Sequence, residues 1–223
     1  NIKARNSGWK FDKKTAQNFD THVAKSVPLY EEGHDLILKL SDFFLQDGSV
    51  CYDIGCSTGS LLKKLADHNS HKKVRYIGID NEKPMLAEAQ KKCAGYKNIE
   101  FICADLRDVE FEPADMLVSY YTMQFIKPKY RQALFNKFWQ TLNWSGALFL
   151  FEKVRAPDAR FQDMMTTIYT DFKLDQGYCG EEIINKTRSL KGILDPFSSQ
   201  ANFDFMKRAG FLDILTIMKY VCF

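Results

Sequence analysis

From Ser49 onward, short β-branched and aromatic runs alternate with longer amphipathic segments. Such alternation is the signature of βαβ units built around a parallel sheet, so the class is α/β. The strand-like runs are Val50–Ile54, Val74–Ile79, Ile99–Ala104, Met116–Tyr121, Ala147–Glu152 and Leu212–Tyr220. Helical patterns fill the gaps at Ser60–Asp67, Lys83–Cys93 and Tyr130–Leu142, with a long helical stretch from Ala159 to Ala209 that holds two or three helices. Asp47-Gly48, Asn143-Trp144-Ser145-Gly146 and Gly177 read as turns. Ahead of the first strand, Leu36, Leu40 and Phe43/Phe44 recur at helical spacing and predict an N-terminal helical cap.

Other classes drop out on composition. The longest apolar stretches, such as Ala147–Phe151, are far shorter than the roughly 20 residues a bilayer span needs. The 31 Lys and Arg against 28 Asp and Glu leave a net charge of +3 with no basic tract, so direct nucleic-acid binding is not signalled. Residues 1–14 contain no apolar core of a secretory signal. The chain begins without Met and stops inside an apolar run, so both ends are expected to be trimmed. Cys51, Cys56, Cys93, Cys103, Cys179 and Cys222 form no C-x-x-C pair, which argues against structural zinc. They read as reduced core thiols of a cytoplasmic protein.

The sharpest local signal is Cys51-Tyr-Asp-Ile-Gly-Cys-Ser-Thr-Gly59, a strand running into two glycines and then into a helix near Ser60. Small residues there let the backbone approach a ligand at the switch point of the sheet, although a tight turn that binds nothing has the same look. Two acids add weight, because Asp80 and Asp105 each close the next strand in order. The first is placed to accept from ribose hydroxyls and the second from an adenine amine; the plain alternative for both is a helix N-cap. Gly55-Cys-Ser-Thr-Gly59 lacks the G-x-G-x-x-G spacing. Asp53 would repel a pyrophosphate and attract the ammonium of a methionine moiety. The expected cofactor is therefore S-adenosyl-L-methionine or S-adenosyl-L-homocysteine rather than a nicotinamide dinucleotide.

Asp53-Ile-Gly-Cys-Ser-Thr-Gly59 with Asp80 and Asp105 resembles the class I S-adenosylmethionine-dependent methyltransferases over Ser49–Lys153. That resemblance implies a Rossmann-like, seven-stranded, mostly parallel sheet with helices on both faces. Within the superfamily, nearly the whole chain is similar to the carboxy-S-adenosylmethionine synthases, which make a carboxymethyl donor for tRNA wobble-uridine modification. The similarity is carried by Ser26-Val-Pro-Leu-Tyr30, Ile79-Asp-Asn81, Asp105-Leu-Arg-Asp108, Tyr121-Thr-Met-Gln-Phe125, Asp171-Phe-Lys173 and Gly177-Tyr178. Carried over by position, the cofactor contacts fall on Tyr30, Gly55, Cys56, Ser57, Asp80, Asn81, Asp105 and Leu106. The residue-level reading adds Asp53, Gly59 and Tyr120. The chain then divides into a cap (1–48), a cofactor-binding core (49–157), a helical insertion (158–210) and a truncated C-terminal strand (211–223) of one domain.

Two departures matter. Tyr120 stands where the family has an asparagine, and Thr187 stands where it has the arginine that grips the donor's extra carboxylate from a neighbouring subunit. Arg188 comes one position late, a turn of about 100° on a helix. Ordinary methyl transfer to an unidentified small-molecule acceptor is thus the expected activity. The alternative is a carboxy-S-adenosylmethionine synthase-like enzyme using prephenate, and the second alternative is a non-catalytic adenosylmethionine-binding protein. Methyl transfer needs positioning and exclusion of water rather than a nucleophile or a metal. Tyr120, Arg188 and His22 are the candidate catalytic residues. Trp9, Phe11, Phe19, Tyr30, Met164, Met165, Tyr169, Phe172 and Tyr178 are expected to wall an acceptor pocket, and the same composition suits a homodimer interface.

Overall fold

The computed structural model describes residues 7–223. The first six residues of the expected cap lie outside that description. Five parallel strands form the sheet: β1 (Val50–Ile54), β2 (Arg75–Asp80), β3 (Ile99–Cys103), β4 (Ala114–Tyr120) and β5 (Leu142–Phe151). Their order is β3-β2-β1-β4-β5, so the chain reverses its direction of travel between β1 and β4. Ligand crevices of open α/β sheets lie at that point.

Alternation along the strands divides the core into two faces. Cys51, Met116 and Val118 pack on one face with Ile37, Leu62, Leu65 and Leu86. Tyr52, Ile54, Ile77 and Leu117 pack on the other with Leu134, Phe135, Phe138 and Phe205. The helices on the first face are α2 (Tyr30–Ser41), α3 (Ser60–His68) and α4 (Lys83–Lys92); those on the second are α5 (Pro128–Thr141) and α8 (Ser199–Ala209). Each fully buried Leu or Phe contributes about 1.5–3 kcal/mol relative to exposure.

Capping chemistry sets the helix ends. Asp12 accepts from the Thr15 amide at 2.8 Å to start α1 (Lys13–Ser26), and Asp158 accepts from the Phe161 amide at 2.9 Å to start α6 (Ala159–Asp175). Glu182 accepts from the Cys179 amide at 2.9 Å and closes the first turn of α7 (Gly180–Leu190). The expected helical cap is two helices, α1 and α2, parted where Leu29 adopts a left-handed φ of 55°. The long helical stretch resolves into α6, α7 and α8. No described helix is long and apolar enough to cross a membrane.

Four sequence expectations change. The sheet has five strands among the described residues, not seven. Leu212–Tyr220 forms no strand: Ile214 packs on one core face and Ile217 and Met218 on the other, but the segment makes no ladder with the sheet, and Leu212 and Leu215 stay exposed. Its alternation registers packing against two faces without pairing. The Asn143–Gly146 turn is absorbed into β5 as a bulge, with the register jumping from Ala114↔Leu142 to Met116↔Ala147 and Ser145 at φ 68°. All six cysteines are free thiols, but Cys103 and Cys179 are exposed rather than core residues.

Candidate functional site

At the switch point, Gly55 holds φ +74°, and a Cβ there would lie 2.3 Å from Thr122 Oγ1. Only glycine lets the turn and the end of β4 close on each other in this way. The chain then reaches Ser57, whose amide donates to Asp80 Oδ2 at 2.9 Å, while the Glu82 amide donates to Asp80 Oδ1 at 2.9 Å. Two strand ends are tied together by one carboxylate. Burial raises the Asp80 pKa, and the amide bonds oppose that rise. Asp53 is 2% exposed, and burial together with the Asp80 charge pushes its carboxyl up to about 7. A cationic ligand group beside Asp53 would return it to the charged form. Gly59 lies behind the turn as the N-cap of α3, close against Ala89 of α4.

The cap is latched to this turn. Asp20 Oδ1 accepts from Thr58 Oγ1 at 2.6 Å and from Ser60 Oγ at 3.0 Å, and Oδ2 accepts from Lys92 Nζ at 2.6 Å. Burial acts to raise the Asp20 pKa, but Lys92 and Thr58 outweigh it and hold the carboxyl below its ordinary value. Tyr30 opens α2 in an aromatic wall with His34 (ring centroids 4.7 Å apart), Tyr120 (5.0 Å) and Tyr121 (6.3 Å). Such faces suit a neighbouring cation. Tyr120 Oη donates to the Tyr30 carbonyl at 2.6 Å, and its hydroxyl occupies the space where a side chain on Gly33 would begin, 2.2 Å from that Cβ position. Burial first, then neighbouring tyrosines, raise the Tyr120 pKa, so it stays a neutral strut. Asp105 is held by both arms of Arg107, at 2.8 Å (Nε to Oδ1) and 2.7 Å (Nη2 to Oδ2), which keeps its carboxyl ionised.

Beyond the aromatic wall, the crevice continues into a chamber under α6 and α7, giving one cavity of about 1390 Å³. Of the residues expected from sequence, Tyr30, Asp53, Gly55, Cys56, Ser57, Asp80, Asn81, Asp105, Leu106, Tyr120, His22 and Arg188 all line it, and Gly59 does not. Trp9, Phe11, Phe19, Met165 and Tyr169 supply apolar wall, whereas Met164 is 52% exposed on the outer face of α6. Phe172 and Tyr178 stand outside the lining.

His22 accepts from Lys186 Nζ at Nε2, 2.6 Å away, and its Nδ1 lies 3.2 Å from Tyr178 Oη. Burial, helped by the Lys186 charge, lowers its pKa to about 4, so the ring is neutral at physiological pH, with the proton on Nδ1. Thr187 lines the chamber as well, but its hydroxyl donates back to the Ile183 carbonyl at 2.8 Å. Arg188 is exposed at the rim.

Sequence reasoning missed the cations that sit deeper. Lys153 and Lys173 each place Nζ 4.1 Å from the Tyr169 ring centroid, and Lys186 reaches Ser26 Oγ at 2.8 Å. Lys173 ends the run Asp171-Phe-Lys173, but nothing in sequence alone separates a buried lysine from a solvated one. Asp20 was missed for the same reason.

The site can be compared with known proteins. Residues 51–146 match the family described as "Methyltransferase domain". The chain is 38% identical over 213 residues to the "Carboxy-S-adenosyl-L-methionine synthase" of Staphylococcus epidermidis, covering 95% of this chain and 92% of that protein. It is 36% identical to the protein of the same name from Wolinella succinogenes, with 96% and 90% covered. Among solved structures, a putative S-adenosyl-L-methionine-dependent methyltransferase from Methanococcus maripaludis superposes with a TM-score of 0.56 at 21% identity, over 90% of this chain and 84% of that one.

Proposed function

We infer the function from one premise: the chain belongs to the family of the carboxy-S-adenosyl-L-methionine synthases, enzymes on the S-adenosylmethionine-dependent methyltransferase fold. S-adenosylmethionine occupies the crevice. Its ribose hydroxyls meet Asp80, its adenine lies by Asp105 and Leu106, and its amino acid end sits over Gly55, Cys56 and Ser57, with the ammonium near Asp53. Tyr30 and Tyr121 face the sulfonium. The chain's own groups bind and orient the cofactor and exclude water; His22, neutral and weakly basic, holds Lys186 rather than taking a proton.

The reaction proposed is carboxylation of the cofactor's methyl group. The acid, prephenate in the family to which the chain is similar, sheds its ring carboxyl as carbon dioxide and its ring hydroxyl as hydroxide as the ring becomes aromatic; the hydroxide takes a proton from the methyl carbon and leaves as water, and the carbanion left on that carbon bonds the carbon dioxide. The product would serve tRNA wobble-uridine modification. The expectation of plain methyl transfer rests on Tyr120, Thr187 and Arg188, and a likeness spread over nine-tenths of the chain outweighs those three positions. The observation that carries the reading is that the cofactor contacts carried over by position, spread from the cap to the loop after β3, converge on one cavity with a second chamber beside it. A homodimer is part of this proposal.

The mass of the ligand that co-purifies is the test. A nucleoside heavier than S-adenosylmethionine by one carbon dioxide, enriched after incubation with prephenate, supports the reading. Recovery of S-adenosylmethionine or S-adenosylhomocysteine alone, with no product on adding prephenate, contradicts it.

A further inference from the structure

The chamber beside the crevice is built from donors without an acceptor to match. Lys153 and Lys173 both approach the Tyr169 ring, and their ammonium groups have no hydrogen-bond partner among the described residues. Lys186, one helix away, is held by Ser26 Oγ and His22 Nε2, both neutral. None of the three makes a salt bridge among the described residues, and residues 1–6 contain no acid. The indole N–H of Trp9, whose ring Lys186 faces at 5.6 Å, is buried with no acceptor.

Burial lowers the pKa of Lys153, of Lys173 to about 8 and of Lys186 to about 7, and the lysines repel one another. Three partly desolvated ammonium groups and a stranded indole donor destabilise the ligand-free fold. What relieves them is an anion with several acceptor oxygens.

The place fits the chemistry of the reaction. Ser26 closes α1 and Tyr30 opens α2, so the lysines lie beside the wall that faces the sulfonium. Tyr169 Oη donates to the Ser26 carbonyl at 2.7 Å and fixes the floor between Lys153 and Lys173 to that bend. Thr187 carries no charge and commits its hydroxyl proton to the Ile183 carbonyl, and Arg188 is exposed on the rim, so the deep cations are the lysines.

We propose that Lys153, Lys173 and Lys186 form a carboxylate-binding subsite, supplied within one subunit, that holds an anionic substrate or product beside the cofactor's methyl group. This inference rests on the synthase reading for the identity of the ligand. The carboxylate belongs either to the incoming acid or to the carboxylated donor.

Titration calorimetry on the wild type and on Lys153→Met, Lys173→Met and Lys186→Met tests it. S-adenosylhomocysteine affinity, expected within about twofold in Lys153→Met and Lys173→Met, reports an intact fold; Lys186→Met also frees α1 from α7, so its anion affinity is read against its own S-adenosylhomocysteine complex. Affinity for prephenate on the S-adenosylhomocysteine complex, or for carboxy-S-adenosylmethionine, should fall roughly ten- to hundredfold per lysine, as losing a charged hydrogen bond does. A loss confined to prephenate assigns the subsite to the acid, and a loss confined to the nucleoside assigns it to the donor. Lys173→Arg should restore most of the binding. Malonate is a probe independent of the reaction: it should raise the Tm of the wild type and not that of Lys173→Met/Lys186→Met. A lysine-dependent malonate response in a protein that makes no carboxylated product keeps the subsite and defeats the synthase reading. Anion affinities unchanged within twofold in the three variants, or a wild type that binds S-adenosylhomocysteine and none of these anions, overturn the subsite.

Discussion

Asp80 shows how one side chain is both scaffold and site. Its carboxylate accepts two backbone amides, from Ser57 and Glu82, and each oxygen keeps lone-pair capacity for a ligand hydroxyl. Asp80→Ala should weaken S-adenosylmethionine binding by about 1–3 kcal/mol, read by calorimetry. Unchanged affinity would remove Asp80 from the site. Lys186 carries the opposite lesson. Its folded pKa, about 7, lies below the ordinary lysine value of 10.5, so the folded state binds this proton less tightly than the unfolded chain does. The linked stability is present in full above the unfolded value and is lost as pH falls toward 7. The groups facing it are His22 and Ser26 on α1, the rings of Trp9 and Tyr178, and the charges of Lys173 on α6 and Lys153 after β5, and none is an acid. Lys186→Met should therefore stabilise the ligand-free protein by about 1–2 kcal/mol at pH 6. The advantage should shrink as the pH rises to 10 in chemical denaturation. A variant less stable than wild type at pH 6 would mean that the ammonium is well solvated after all.

At the scale of elements, α1 is a lid fastened at two points, by Asp20 to Thr58, Ser60 and Lys92, and by Ser26 and His22 to α7 through Lys186. Asp20→Ala should loosen that lid and reduce cofactor affinity by about 1–2 kcal/mol. Amide exchange should rise in residues 13–26 and stay unchanged in β1 and β4. Equal exchange in α1 would show the latch to be redundant. The core strands were legible before the structure because their signal is local: an apolar run bounded by Gly or Asp, as in Val50–Ile54, states both its period and its end. The last predicted strand failed because pairing is not local. Leu212–Tyr220 has the right alternation, but a strand exists only where a neighbour's backbone completes its ladder. The candidate site divided along the same line. Gly55, Asp80 and Asp105 were legible from their spacing to strand ends, whereas Lys153, Lys173 and Lys186, from three separate segments, meet only through the packing of α6 and α7.

For the whole molecule, Phe161, Met164 and Ile168 recur at i, i+3 and i+7 on α6 and are 41%, 52% and 50% exposed. Such a stripe suits the expected homodimer. Sedimentation should give a dimer, and Met164→Asp with Ile168→Asp should give a monomer; a monomeric wild type would end that expectation. The central claim is that the crevice and the chamber act as one site, in which a carboxyl group joins the cofactor's methyl carbon. Its most direct measurement is the fate of carbon label. Incubated with S-adenosylmethionine and prephenate labelled with ¹³C in the carboxyl group on its ring, the protein should form a carboxylated nucleoside that carries the label. Absence of label from every nucleoside, or a methyl group transferred unchanged to an acceptor, would contradict the account.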